Sequence, residues 1–97
     1  MFGVMQDMPG VEEDEYRLVE RHLGPDRPPG LVAHVAGPID GGWRIVNVWE
    51  SEEAYRRFTS ERLLKAAGIA ARTDGFDPAK AAGFRVHTVG GEEMSFR

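Results

Sequence analysis

His34 and Asn47 are the two residues whose types and setting point most directly to chemistry. An imidazole exchanges protons near neutrality, so His34 suits a general base. An amide such as Asn47 orients a substrate oxygen or steadies a developing oxyanion. Trp43, Trp49, Tyr55 and Phe58 could wall an aromatic pocket around them. Each has a plainer alternative. A histidine on a sheet is commonly just hydrogen-bonded, Asn47 could simply bond His34 or a loop, and aromatic rings fill cores as well as sites. His22 falls near a helix end, where a cation is favoured. His87 falls on the last strand. The three histidines show no metal-ligand spacing, so no metal site is predicted. The glycine pairs at 41–42 and 90–91 are turn signals without a phosphate-loop or dinucleotide fingerprint, so no nucleotide cofactor is expected. There is no nucleophile elbow.

The elements that must position these residues follow from periodicity and punctuation. Residues 1–6 read as a short first strand. A helix opens at Pro9-Gly10, with Met8, Val11, Tyr16, Leu18, Val19 and Leu23 on one stripe at a 3.6 period. The acidic run 12–15 suits the positive end of the helix dipole. Gly24-Pro25 should end that helix, with Gly24 as a left-handed cap. Residues 31–37 and 43–50 read as two strands of a hairpin turning over 37–42. Ser51 is a good N-cap for a second helix running to about residue 67. Leu63 and Leu64 break its stripe and point to a bend or a subunit contact. Residues 68–83 read as a connection holding a helical turn near 78–82. A last strand spans 84–89, and a polar tail follows over 91–97.

The order β-α-β-β-α-β is the ferredoxin-like, split βαβ arrangement of the α+β class. It predicts a four-stranded antiparallel sheet with both helices on one face. The other face has no cover within the chain, so a homodimer paired through it is expected.

If Gly37 pairs with Gly42, His34 lies opposite Ile45 and Val32 opposite Asn47. One face then carries Val32, His34, Ala36, Trp43, Ile45, Asn47 and Trp49. The other carries Leu31, Ala33, Val35, Arg44, Val46 and Val48. His34 and Asn47 would be diagonal neighbours, on the order of 7–8 Å apart.

The composition narrows the functions. The chain has 97 residues, the length of one domain, with 41% hydrophobic and 29% charged residues. A net charge of −4 argues against nucleic acid and anionic membranes, which need clustered basic surface. With no cysteine, disulfides and thiolate chemistry are excluded. The first residues lack the basic flank and long apolar run of a signal peptide or a membrane span, so a cytoplasmic protein is expected.

The stretch from Gly30 through His34 to Gly37, then from Gly42 through Trp49-Glu50-Ser51 to Phe58, resembles the antibiotic biosynthesis monooxygenase-like branch of the dimeric α+β barrel superfamily. The strand-end Trp-Glu-Ser before an amphipathic helix is its most telling part, and the likeness covers about residues 30–65. It implies two sheets packed across a twofold axis and a pocket between each sheet and its helices. Members include cofactor-independent oxygenases of polycyclic phenols, haem-degrading enzymes, isomerases and cyclases. The third-strand Asn and Trp of the oxygenases are matched by Asn47 and Trp49, at a shorter spacing. Of the haem-degrading pattern only Trp49 is matched. Thr59 stands in place of the ligating histidine and Gln6 near the first-strand asparagine, so haem is not implied. The expected function is a cofactor-independent monooxygenase-like enzyme on a small, hydrophobic, polyketide-like substrate. The alternatives are a non-catalytic dimeric binding or accessory protein of the same fold, and a cyclase or isomerase.

Overall fold

The structure is a computed structural model and describes residues 1–24 and 26–91. The polar tail beyond Gly91, and Pro25 in the expected helix stop, lie outside the described residues. The elements in order are β1 (Phe2–Pro9), α1 (Glu13–Arg21), β2 (Leu31–Ile39), β3 (Gly42–Trp49), α2 (Glu52–Phe58), a π-helical turn (Thr59–Leu63), α3 (Leu64–Thr73), a 3₁₀ turn (Pro78–Gly83) and β4 (Arg85–Gly90). The strands form one antiparallel sheet in the order β2-β3-β1-β4. This is the ferredoxin-like α+β fold expected from the sequence.

β1 runs three residues further than the apolar stripe suggested. Phe2, Val4 and Met8 alternate inward and are buried, so Met8 belongs to the strand and not to the helix. α1 therefore starts later, at Glu13. Its N-cap Glu12 and Glu15 form a capping box, with the Glu12 N–H donating to Glu15 Oε1 at 3.2 Å. The helix ends at Arg21, short of Gly24, which adopts φ +85°.

The second helix is longer than its sequence stripe. Ser51 caps it, accepting the Ala54 N–H at 3.1 Å. After Phe58 the backbone winds through the π turn and continues to Thr73, so the stretch 68–73 is helix and not connection. The extra residue of the π turn is the bend that Leu63 and Leu64 signalled. It rotates the following face so that the small residues Ala66 and Ala70 are buried. The 3₁₀ turn lies where a helical turn was expected.

The hydrophobic core lies between the helices and one face of the sheet, in two clusters. Phe2, Val4 and Trp49 form one, with Leu31, Ala54, Tyr55 and Phe58 packed on it. Met8, Val11 and Trp43 form the other, with Tyr16, Ala36, Ile45 and Phe84. Val35 and Val89, on the opposite face, are 68% and 73% exposed.

Candidate functional site

The β2–β3 hairpin decides the site. Its turn is only Asp40-Gly41, with Gly41 at φ +73°, and Ile39 pairs with Gly42. β2 thus extends two residues beyond the expected Gly37, through Pro38, which an edge strand tolerates. The pairing is shifted by two residues from the expected register, which keeps every residue from 33 to 36 on its predicted face. The shift brings His34 directly opposite Asn47, instead of diagonal to it. A bulge at residue 32 breaks the alternation. It turns Leu31 into the Trp49 cluster and leaves Val32 exposed beside Ala33 and Val48, reversing the predicted faces of both.

His34 Nδ1 lies 2.5 Å from Asn47 Oδ1, and His34 Nε2 lies 3.2 Å from the Tyr16 hydroxyl on α1. An amide oxygen only accepts, so Nδ1 carries the proton in the neutral ring. Nε2 is then the acceptor for the Tyr16 O–H. Burial, reinforced by the Glu20 carboxylate, pushes the Tyr16 pKa up to about 12, so Tyr16 is a neutral phenol near neutrality. Its ring lies against Trp43, centroids 5.3 Å apart. The three side chains form a hydrogen-bonded relay at a solvent-exposed position, Tyr16 to His34 to Asn47. Tyr16 is the member that sequence reasoning missed, since it read only as one position of a helical stripe. The available signal was its hydroxyl, which a half-buried tyrosine must satisfy.

The structure divides the predicted residues between two places. His34, Asn47 and Trp43 gather around Tyr16. Trp49 is buried in the other cluster, with the rings of Phe58 and Tyr55 at 5.2 and 6.0 Å. Tyr55 also lines an open hollow of about 350 Å³ with Phe2, Thr59, Leu64 and Thr88. His34 and Asn47 line neither this hollow nor two further ones, one bordered by Val11 and Trp43 and one by Val32 and Val89. The indole N–H groups of Trp43 and Trp49 and the Thr59 hydroxyl are buried without a hydrogen-bond partner among the described residues.

The other histidines take separate places. His22 Nε2 meets Asp74 Oδ2 at 2.5 Å, tying the end of α1 to the end of α3. That contact holds the Asp74 carboxyl below its ordinary 3.8. His87 stands beside Met5 on the open sheet face. Among the described residues no group of three or more His, Cys, Asp or Glu could hold a metal ion. Thr59, at the position of a haem-ligating histidine, offers only an enclosed neutral hydroxyl, so the residues do not fit haem.

No sequence-family model matches this chain, and no curated protein sequence matches it. Solved structures do. A candidate antibiotic biosynthesis monooxygenase from Deinococcus radiodurans superposes with a TM-score of 0.63 at 10% identity, over 100% of this chain and 99% of that one. A mutant of MhuD, with two manganese protoporphyrin IX molecules bound per active site, gives 0.60 at 17% identity over the whole of both chains. A monooxygenase from the ActVA-Orf6 gene of Streptomyces coelicolor, in complex with nanaomycin D, gives 0.58 at 20% identity, over 99% and 91%. The chain therefore shares the ferredoxin-like fold of these structures. A fold of this kind hosts many chemistries, so function rests on the site.

Proposed function

We propose that this protein is a cofactor-independent oxygenase acting on a small, hydrophobic, polyketide-like aromatic substrate with an ionisable hydroxyl. It works as a homodimer in the cytoplasm and binds neither nucleic acid nor membrane. The Tyr16–His34–Asn47 relay carries this reading. A substrate hydroxyl donates to the Tyr16 oxygen as the Tyr16 proton passes to His34 Nε2. Asn47 holds the Nδ1 proton and so keeps Nε2 free to receive it. The substrate anion supplies electrons to dioxygen. A CH₂ conjugated with the anion becomes a carbonyl, and its two hydrogens leave with the second oxygen atom as water. The substrate is the reductant and oxygen the oxidant, so no outside electron donor is needed. Trp43 backs the relay through Tyr16. Tyr55 walls the open hollow, with Trp49 packed against it and Phe58 against Trp49.

The test is oxygen uptake with hydroxylated anthrones and naphthols, wild type against His34→Ala. Turnover should fall roughly 10²–10⁴-fold while the variant stays folded. Undiminished turnover in a folded variant would remove His34 from the chemistry. A second reading, a dimeric binding protein, is favoured by one observation. Both ring nitrogens of His34 are already hydrogen-bonded within the chain. Saturable ligand binding with no oxygen uptake and no change of ligand mass would favour it. Conversion of the ligand without oxygen uptake would indicate a cyclase or isomerase.

A further inference from the structure

Glu20 stands one turn beyond Tyr16 on α1, in the last turn of that helix. A carboxylate is disfavoured there, because the last carbonyl groups of a helix already concentrate negative charge. Helix pairing does not account for it either. Glu13 lies four residues before Arg17, in the order that a helix favours. The Arg17 guanidinium instead bonds Glu20 Oε1 at 2.6 Å, three residues further on. It also lies over the Tyr16 ring, 5.9 Å from its centroid. Both charges are thereby gathered at the phenol.

Tyr16 has one hydroxyl proton and two acceptors. His34 Nε2 lies 3.2 Å from the hydroxyl, and the Glu20 carboxylate is the second acceptor within its reach. While His34 is neutral, Nε2 has a free lone pair and takes the Tyr16 O–H. Once Nε2 has gained a proton it becomes a donor, and the bond reverses. Nε2–H then donates to the Tyr16 oxygen, and the hydroxyl turns to the acceptor that remains, Glu20. Charge runs the same way. The imidazole has become a cation, and a carboxylate across a bridging hydroxyl stabilises it. Glu20 and Arg17 on α1 and His34 on β2 are the charged or titratable groups at this hydroxyl among the described residues. The neighbours Asn47 and Trp43 of β3, Ala36 of β2 and Phe84 carry no charge.

We propose that Glu20 is a positioning residue of the relay, which takes the Tyr16 hydroxyl when His34 holds the transferred proton, and that Arg17 restrains it. This rests on the relay reading above and adds its charge-balancing member. One proton moves from the substrate oxygen to Tyr16 and one from Tyr16 to His34 Nε2, with no change of oxidation state. The turn of the hydroxyl to Glu20 also releases the substrate anion from a hydrogen bond that would hold back its electrons. Glu20 itself touches neither substrate nor oxygen.

Two substitutions push in opposite directions. Glu20→Gln removes the negative charge at constant shape, and Arg17→Gln removes the positive charge that offsets it. The first readout needs no substrate. Difluorotyrosine placed at residue 16 gives fluorine signals from that residue alone, and its electron-poor ring ionises at a pH where the chain stays folded. Its titration midpoint should fall by about half a pH unit with Glu20→Gln and rise with Arg17→Gln. Added salt should shrink both shifts. In oxygen uptake by the unlabelled protein, the acid limb of the kcat profile should move to lower pH with Glu20→Gln and to higher pH with Arg17→Gln. Glu20→Gln should also lower the plateau kcat about threefold. Fluorine midpoints unmoved by both substitutions would remove Glu20 from the relay, whatever the turnover. Shifted midpoints beside an unmoved kcat profile would overturn the proposal and leave the oxygenase reading standing. Shifted midpoints in a protein that consumes no oxygen would overturn the oxygenase reading and support the coupling of Glu20 to Tyr16.

Discussion

Tyr16 joins the proposed chemistry to the core. Its ring packs on Trp43 and its hydroxyl reaches His34. With its pKa raised to about 12, it relays a proton without resting as an anion. Replacement by Phe keeps the ring and removes only the relay. Tyr16→Phe should lower kcat about 10–10²-fold with KM little changed, read from oxygen-uptake kinetics. A rise in KM at constant kcat would make Tyr16 a binding residue instead. At this scale the sequence named His34 and Asn47 correctly as neighbours on one face. It missed Tyr16, because a stripe position says which side of a helix a residue takes and nothing about what stands opposite.

At the scale of elements, close approach sets the limits. Gly30 has φ +85°, and a Cβ there would lie 2.6 Å from the Ala54 Cβ on α2. Gly30→Ala should therefore cost about 2 kcal/mol, seen as a lower midpoint in thermal or urea unfolding. Carboxylates clamp the elements together. Asp7 meets Arg44 between β1 and β3, Glu15 meets Lys80 between α1 and the 3₁₀ turn, and Asp74 meets His22 between α3 and α1. Their hydrogen-bonded partners hold all three below their ordinary values of 3.8, 4.5 and 3.8. Each folded-state value lies below the unfolded one, so the stabilisation is full above about pH 4.5. It is lost as pH falls through the folded values. Unfolding midpoints should stay level down to that pH and drop below it, and Asp74→Asn should flatten part of the drop. The strand and helix order was legible because each change of period is marked by Gly, Pro or Ser. The far ends of β1 and of the second helix were not. Met8 fits either period, and the π turn shifts the helical phase in a way that no fixed period follows.

For the whole molecule, the sheet has one face covered by helices and one that is not. Val46 sits at the centre of the second, 40% exposed. Val46→Glu should yield a folded monomer by light scattering and circular dichroism, because a carboxylate there costs nothing in the single chain and a great deal against an apolar partner. A variant that remained dimeric would place the subunit contact elsewhere. The sequence by itself determined the class of fold, the pairing of β2 with β3, and the sorting of residues 33–36 and 43–49 between two faces. Those follow from periodicity, and a slip of two residues leaves the periodicity of a strand unchanged. Only the tertiary structure decided that His34 faces Asn47 and that Leu31 turns inward. Hairpin register depends on turn length and on one bulge; the bulge turns Leu31 onto the Trp49 cluster, and at the far end Gly42 lies close against Met8 of β1. It alone brought Tyr16 to the imidazole and set Asp7 against Arg44, since those contacts join segments that approach only once the sheet and its helices have closed.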